Sequence, residues 1–268
     1  MLTNAELDGY LSFAQRLADA AGAAILPHFR TRLAIENKLA DGFDPVTEAD
    51  RAAERAMRGL IREHHPGHGI LGEEEGFEAG TSPLTWVLDP IDGTRAFMTG
   101  APLWGTLIAL SDENGPLLGI LDQPYMRERF TGARRVSHFQ SPHASHPLQS
   151  RHNITLKDAV LSSTHPELFR GETERVAFTN LTRQVRMTRY GGDCYAYGLL
   201  AMGYLDLVVE TGLKPFDIQA LIPIVEGAGG RVTNWRGGPA HLGGQVIASG
   251  CPKLHDLALT VLASGASV

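Results

Sequence analysis

Cysteine is nearly absent from this 268-residue chain. Cys194 and Cys251 are the only two, too few and too far apart for a disulfide framework or a thiolate zinc site. Basic residues are also in short supply: 24 Lys and Arg stand against 30 Asp and Glu, a formal net charge of −6. With a pI near 6.0, no basic stripe is available to neutralise a phosphate backbone, which argues against a nucleic-acid surface. No apolar run reaches the roughly 18 residues of a membrane span, and Asp206 interrupts the most hydrophobic stretch. The N-terminus lacks a basic segment followed by an apolar core, so no secretory signal is read there. No internal repeat occurs. These absences fit a reduced, cytoplasmic enzyme, with no nucleic acid and no membrane as partner.

What is present is ordinary in bulk. The 43% hydrophobic and 20% charged content suits a globular protein of one large domain or two closely joined ones. Thr3 and Glu6 have capping-box spacing, and Leu7, Leu11, Ala14, Ala18, Ala21 and Ile25 fall on one face, which predicts a helix over 3–30. A polar stretch from Glu36 to Asp44 leads to a second helix over 47–63. His64 and His68 would be metal ligands on a helix, but Pro66 and Gly67 make this a loop. Strands are expected at 69–71, 84–88, 103–110 and 116–122. Residues 137–151, rich in Ser, His and Pro, read as a surface loop. The second half alternates, with strands at 159–163, 205–210, 231–234 and 245–248, and helices at 193–202, 217–226 and 253–263. The pattern is that of a mixed α/β or α+β protein, divided into subdomains 1–150 and 151–268.

One stretch is unusual. Residues 86–94 read W-V-L-D-P-I-D-G-T: a buried strand running into Asp89 and Asp92, with Gly93 and Thr94 where a helix could begin. Pro90 is expected to stop the strand and hold both carboxylates on a rigid turn. Two hard oxygen ligands beside free backbone N–H groups are what a Mg²⁺–phosphate pair requires. The alternative is an Asp-Pro turn whose Asp-Gly step closes a hairpin. Other acids stand at element ends, each with an innocent reading. Asp50 completes a capping box with Thr47, Glu73 and Glu74 begin a solvated charge run, and Asp217 after Pro215 suits a helix N-cap.

Taken together, D-P-V-T-E-A-D (44–50), G-E-E (72–74), W-V-L-D-P-I-D-G-T (86–94), K-P-F-D-I-Q-A (214–220) and E-G-A-G-G (226–230) resemble the inositol monophosphatase family in order and spacing. The resemblance implies a layered α-β-α-β-α sandwich, a Mg²⁺-dependent and lithium-sensitive phosphatase, and a homodimer. It assigns Glu73, Asp89, Asp92, Asp217 and the Ile91 carbonyl as ligands of about two or three Mg²⁺ ions. It further assigns Thr94 and Asp50, hydrogen-bonded to each other, and Glu73 to the attacking water. Gly93 and Thr94 amides would hold phosphate oxygens, and Glu74 would support the site from behind.

The segment Tyr190-Gly191-Gly192-Asp193-Cys194-Tyr195-Ala196-Tyr197 is similar to the histidinol-phosphatase branch of that family. On this resemblance the substrate is a small phosphate ester, L-histidinol phosphate, an intermediate of histidine biosynthesis. Its ammonium and imidazole would meet the carboxylates of Asp193 and Glu210. A helix N-cap after Gly-Gly is the plain reading of Asp193, and inositol 1-phosphate or a broader set of small phosphomonoesters is the alternative substrate. One departure stands out. Gly132-Ala133-Arg134-Arg135 replaces the glycine-rich hairpin usual in the family, which leaves the structure of 131–151 open.

Overall fold

The computed structural model describes residues 2–31, 36–37 and 45–266; Asp44 and most of the polar stretch before it lie outside them. Helix α1 (Asn4–Ile25) starts on a capping box in which Thr3 and Glu6 each accept from the other's backbone. The two-residue strands β1 (Glu36–Asn37) and β2 (Pro45–Val46) pair with each other, and helix α2 (Glu48–His64) follows. The loop after α2 is as predicted. His65 and His68 stack there at 4.9 Å between ring centres, in a cluster with Trp86, Tyr10 and Phe13.

Eight strands form the first sheet: β3 (Gly69–Gly72), β4 (Gly76–Glu78), β5 (Thr85–Asp92), β6 (Gly105–Asp112), β7 (Gly115–Gln123), β8 (Glu128–Ala133), β9 (Val136–Gln140) and β10 (Ser145–Pro147). Helix α3 (Thr94–Met98) leaves the end of β5. The spatial order is β10-β9-β8-β7-β6-β5-β3-β4, antiparallel throughout except for the parallel β3–β5 pair.

The second sheet comes from the C-terminal half. Strands β11 (Val160–Ser163), β12 (Met187–Tyr190), β13 (Leu207–Leu213), β14 (Arg231–Asn234) and β15 (Gly244–Ser249) lie in the order β12-β11-β13-β15-β14. Helices α4 (Glu172–Thr182), α5 (Asp193–Ala201), α6 (Pro215–Ile218), α7 (Leu221–Gly227) and α8 (Pro252–Leu262) complete the chain.

Side-chain alternation assigns the layers. On β5, Trp86 and Leu88 join Phe13, Leu17, Met57 and Ile61 of α1 and α2 in one core. Val87 points the other way, into a core with Tyr197, Leu200 and Ile224 of α5 and α7 and Val208 and Val246 of the second sheet. A third core packs α4 and α8 on the outer face of that sheet. The order of layers is therefore helix, sheet, helix, sheet, helix, the sandwich expected. Among the described residues no helix is long and apolar enough to cross a membrane.

The middle layer sits unusually close to the first sheet. Gly119 of β7 and Gly132 of β8 are directly paired. A Cβ at Gly119 would lie 1.9 Å from the Ala220 carbonyl oxygen, and one at Gly132 2.3 Å from the Pro223 carbonyl carbon. Helix backbone therefore rests on sheet backbone, and no side chain separates them.

Two expectations fail. Pro90 does not stop the strand: β5 runs on to Asp92. Asp89 pairs with Leu107 and Asp92 with Gly105, so β5 carries one residue more than β6 there. Proline is tolerated at such a bulge because no ladder N–H is needed from it. The segment read as a surface loop is in fact partly strand. β9 and β10 extend the sheet at its edge, and the β8–β9 turn is made by Arg134 and Arg135, at φ 52° and 60°. Two left-handed residues at a two-residue connection form the mirror-image turn that hairpins prefer, here without the usual Asn or Gly.

Candidate active site

The β5 bulge decides where the acids point. Asp89 shares the face of Val87, toward the middle layer, and the extra residue brings Asp92 round beside it. Asp217 arrives on α6 from the C-terminal half. One carboxylate oxygen from each of Asp89, Asp92 and Asp217 lies within 4.8 Å of the others. Glu73, at the end of β3 next to β5, lines the same pocket of about 390 Å³ together with Ile91, Gly93, Thr94, Asp193 and Glu210. A larger groove, about 530 Å³ between α1 and β8, holds Asp19 and Asp122 paired with Arg129, and it offers no comparable cluster of acids.

Backbone amides hold each acid in place. Ile91 N–H donates to Asp89 Oδ1 at 3.1 Å, Cys194 N–H to Asp92 Oδ2 at 2.7 Å, and Lys214 N–H to Asp217 Oδ2 at 2.6 Å. Asp92 is thus oriented by the first turn of α5, a hundred residues away in sequence. Asp217 is not an N-cap: it reaches back from inside α6 to the preceding amide.

Such a cluster is electrostatically unfavourable by itself. Burial, then the neighbouring carboxylates of Glu73, Asp92 and Asp217, push the Asp89 carboxyl well above its usual range. Asp92 is raised in the same way by burial and by Asp193 and Asp217. Divalent cations are the natural answer to converging anionic oxygens. The donors are all hard oxygens, with no thiolate or imidazole among them.

Asp50 is fully buried and fulfils the capping-box reading. Its Oδ2 accepts from Thr47 N–H at 2.8 Å and Thr47 Oγ1 at 2.5 Å. Its Oδ1 is buried without a hydrogen-bond partner, and burial lifts its pKa to about 6, with Glu73 adding to the effect. The hydrogen bond between Thr94 and Asp50 implied by the resemblance is not made. Thr94 Oγ1 donates instead to the Ile91 carbonyl at 3.1 Å, because the tight step from bulge to α3 puts that oxygen closest.

Asp193 and Glu210 complete the pocket lining. Asp193 is not the N-cap of α5; Gly192 is. Asp193 is instead held at φ 42°, with its Cβ 3.1 Å from where a Cβ on Gly93 would lie. A non-glycine residue in that conformation is strained, a cost more often met at functional sites than elsewhere. Burial raises its carboxyl to about 6 against the pull of Arg95. Glu210 accepts from Thr164 N–H at 2.8 Å and Thr164 Oγ1 at 3.1 Å, both on Oε1. Its Oε2 has no partner although fully buried, and burial lifts its pKa to about 8.

Some residues of the site escape a sequence reading. Lys214 and Phe216 precede Asp217 in the K-P-F-D segment, and Leu168 and Thr164 follow β11; all four line the pocket. Adjacency to a recognised acid was the one available signal for the first pair, and loop residues such as Leu168 give none. Behind the site, Glu54 of α2 accepts the Glu74 amide at 2.8 Å. Glu74 thus meets the site's support through its backbone.

Comparison with known proteins agrees with this geometry. An inositol monophosphatase from Zymomonas mobilis superposes with a TM-score of 0.85 at 42% identity, covering 98% of this chain and 100% of that one. The chloroplastic bifunctional phosphatase IMPL2 of Arabidopsis thaliana is 43% identical over 238 residues, 88% of this chain and 67% of the plant protein. A histidinol-phosphatase of Streptomyces coelicolor is 37% identical over 253 residues, 92% of this chain and 94% of that one. Residues 6–265 match the inositol monophosphatase family. The chain belongs to the inositol monophosphatase family, as a metal-dependent phosphomonoesterase with an acidic metal-binding cluster.

Proposed function

We propose that the chain hydrolyses L-histidinol phosphate to L-histidinol and inorganic phosphate, with Mg²⁺ as its resident cation. The observation that carries the substrate is the pair Asp193 and Glu210, one half-buried and one buried carboxylate that line the same pocket as the metal acids. Glu210 Oε2 is buried and lacks a donor. An unpartnered buried acceptor costs free energy that a cationic donor on a ligand recovers. Histidinol phosphate brings an ammonium and an imidazole to that pair. The similarity to a histidinol-phosphatase supports the same choice.

Bound to Glu73, Asp89, Asp92, Asp217 and the Ile91 carbonyl, Mg²⁺ supplies charge neutralisation at the phosphoryl group and an acidified water. The chain's own residues do the rest. Gly93 and Thr94 stand at the start of α3, with amides available to phosphoryl oxygens. Glu73 takes the proton of the attacking water, and the Thr94 hydroxyl orients that water. Asp50 and Glu74 keep this wall in place. Attack forms a new P–O bond while the ester P–O bond breaks, and the departing alkoxide recovers a proton from solvent. Leu168, Leu213 and Phe216 give the imidazole an apolar surface.

Parallel kcat/KM measurements on histidinol phosphate and inositol 1-phosphate test the proposal. A preference for inositol phosphate overturns it in favour of the second reading, which the Zymomonas protein at 42% identity supports. Asp193→Asn should raise KM for histidinol phosphate by about 10-fold, the worth of one charge-assisted hydrogen bond, and leave inositol phosphate little changed. The homodimer implied by the family is part of this proposal, and light scattering on the purified chain tests it.

A further inference from the structure

Glu54 lies in the middle of α2, on the stripe of Ala49, Asp50, Ala53, Met57, Arg58 and Ile61 that faces the core, and it is fully buried. Three donors converge on its carboxylate. Glu74 N–H reaches Oε2 at 2.8 Å, Glu75 N–H reaches Oε1 at 3.0 Å, and Arg58 Nε reaches Oε1 at 2.8 Å. The two amides are those that directly follow Glu73, where the chain leaves β3 and turns into β4. Arg58, with a side chain only 2% exposed, also donates to the Gly76 carbonyl and, at 3.4 Å, to Glu78 Oε2. A buried ion pair on one helix therefore grips the acidic turn 73–76 along its length.

Gly72 shows how closely the grip is fitted. A Cβ there would lie 2.0 Å from Glu54 Oε1 and 2.4 Å from its Cδ, so the carboxylate fills the space that any larger residue would need. The turn it holds carries acids at 73, 74 and 75, a run that repels itself and disfavours a single tight arrangement. Burying a charged pair costs desolvation and is weak evidence for stability alone. Its position against these amides gives it a task.

We propose that Glu54 is a positioning residue for Glu73: its carboxylate fixes the turn so that Glu73 already faces the pocket when a cation arrives. The inference rests on Glu73 being a metal ligand. Glutamine at 54 keeps the shape, but its NH₂ must face at least one of the donors that the carboxylate accepts. The turn then loses its anchor, and the cation must order it on binding.

The test is a calorimetric Mg²⁺ titration of the wild type, Glu54→Gln and Glu48→Gln. Glu48 is an exposed acid of the same helix, paired with Arg55, so its replacement makes the same change in charge. Glu54→Gln should weaken Mg²⁺ binding by about 10-fold or more, as the loss of a partner that orients a metal ligand does. Glu48→Gln should bind as the wild type does, and kcat of Glu54→Gln at saturating Mg²⁺ should stay within about threefold. Hydrogen exchange on the wild-type protein in chelator keeps the proposal testable if the variant does not fold. The Glu74 and Glu75 amides should be protected about as well as those of α2. Wild-type affinity in Glu54→Gln, or exchange of those amides at free-loop rates, overturns the positioning role alone. A wild type that binds no Mg²⁺ overturns the metal reading and this inference with it.

Discussion

Asp89→Asn should make the metal-free protein more stable while removing its response to Mg²⁺. One oxygen each of Asp89, Asp92 and Asp217 lies within 4.8 Å of the others. At an effective dielectric constant of about 20, two full charges at that distance repel by about 3 kcal/mol. Proton uptake already relieves part of this, as the raised Asp89 and Asp92 carboxyls indicate, which leaves about 1–2 kcal/mol for the neutral isostere to recover. Asparagine retains Oδ1 as acceptor for Ile91 N–H, so that hydrogen bond is not lost. For a chain of this length the gain corresponds to about 2–4 °C in Tm. The wild type should in turn gain about 2.7 kcal/mol at a Mg²⁺ concentration 100 times its Kd, and the variant much less. Melting curves of both proteins, in chelator and in Mg²⁺, should therefore cross: the variant is higher without the ion and lower with it. A variant that melts at or below the wild type in chelator, or that keeps the full Mg²⁺ shift, refutes the reasoning. Phosphatase activity should be lost in the variant although it folds.

Three further outcomes follow from other parts of the fold. Arg151→Ala leaves Asp206 buried without its bidentate partner, two hydrogen bonds of 2.8 and 2.6 Å. Because Arg151 is partly exposed, the loss should be about 2–3 kcal/mol, below that of a fully buried pair, read from the urea midpoint. His255 is buried between Thr233 and Ser249 hydroxyls, and burial lowers its pKa to about 4. The unfolded chain binds the proton first as pH falls from about 6.5. The contribution of His255 is therefore complete above about 6.5 and is lost toward pH 4, about 3 kcal/mol in all. An NMR titration in which this ring protonates near 6.5 in the folded protein would count against it. Gly72→Ala should mimic Glu54→Gln in weakening Mg²⁺ binding, since the new methyl displaces the same carboxylate; unaltered calorimetric affinity would contradict this.

The layers of the sandwich and the acids of the site are legible in the sequence because both depend on local pattern. Strand β5 alternates, α1 and α2 carry apolar stripes, and D-P-I-D-G-T is a compact signature. The path of β5 past Pro90 was not legible, because a bulge is a matter of register with β6, and a single strand's sequence does not contain its partner's. The β8–β9 hairpin hid for another reason. Val136 to Gln140 does alternate, with Ser137 and Phe139 buried, but Arg134 and Arg135 occupy turn positions where Asn or Gly is the usual signal. Glu54 looks like any charged residue on a surface helix until the turn packed against it is seen. Asp193 shows a further kind of gap. Gly-Gly-Asp before a helix suggests a cap, and only the backbone reveals that the residue lies one step inside with φ at 42°.

The facing pair Gly119 and Gly132 sits in the sheet floor, outside the pocket lining, yet it sets how far apart the two halves of the catalytic centre stand. Asp89 and Asp92 belong to the first sheet. Asp217 sits on the short helix just before Ala220, and the stretch from Ala220 to Ile224 that follows it lies on those glycines. The spacing between the halves is thus machined by missing methyl groups. An alanine at either glycine acts as a shim, lifting the C-terminal half and drawing Asp217 away from its counterparts without touching a single ligand. Fine adjustment of the metal centre, in evolution or by design, can therefore be sought in the thickness of this seam as well as in the acids themselves.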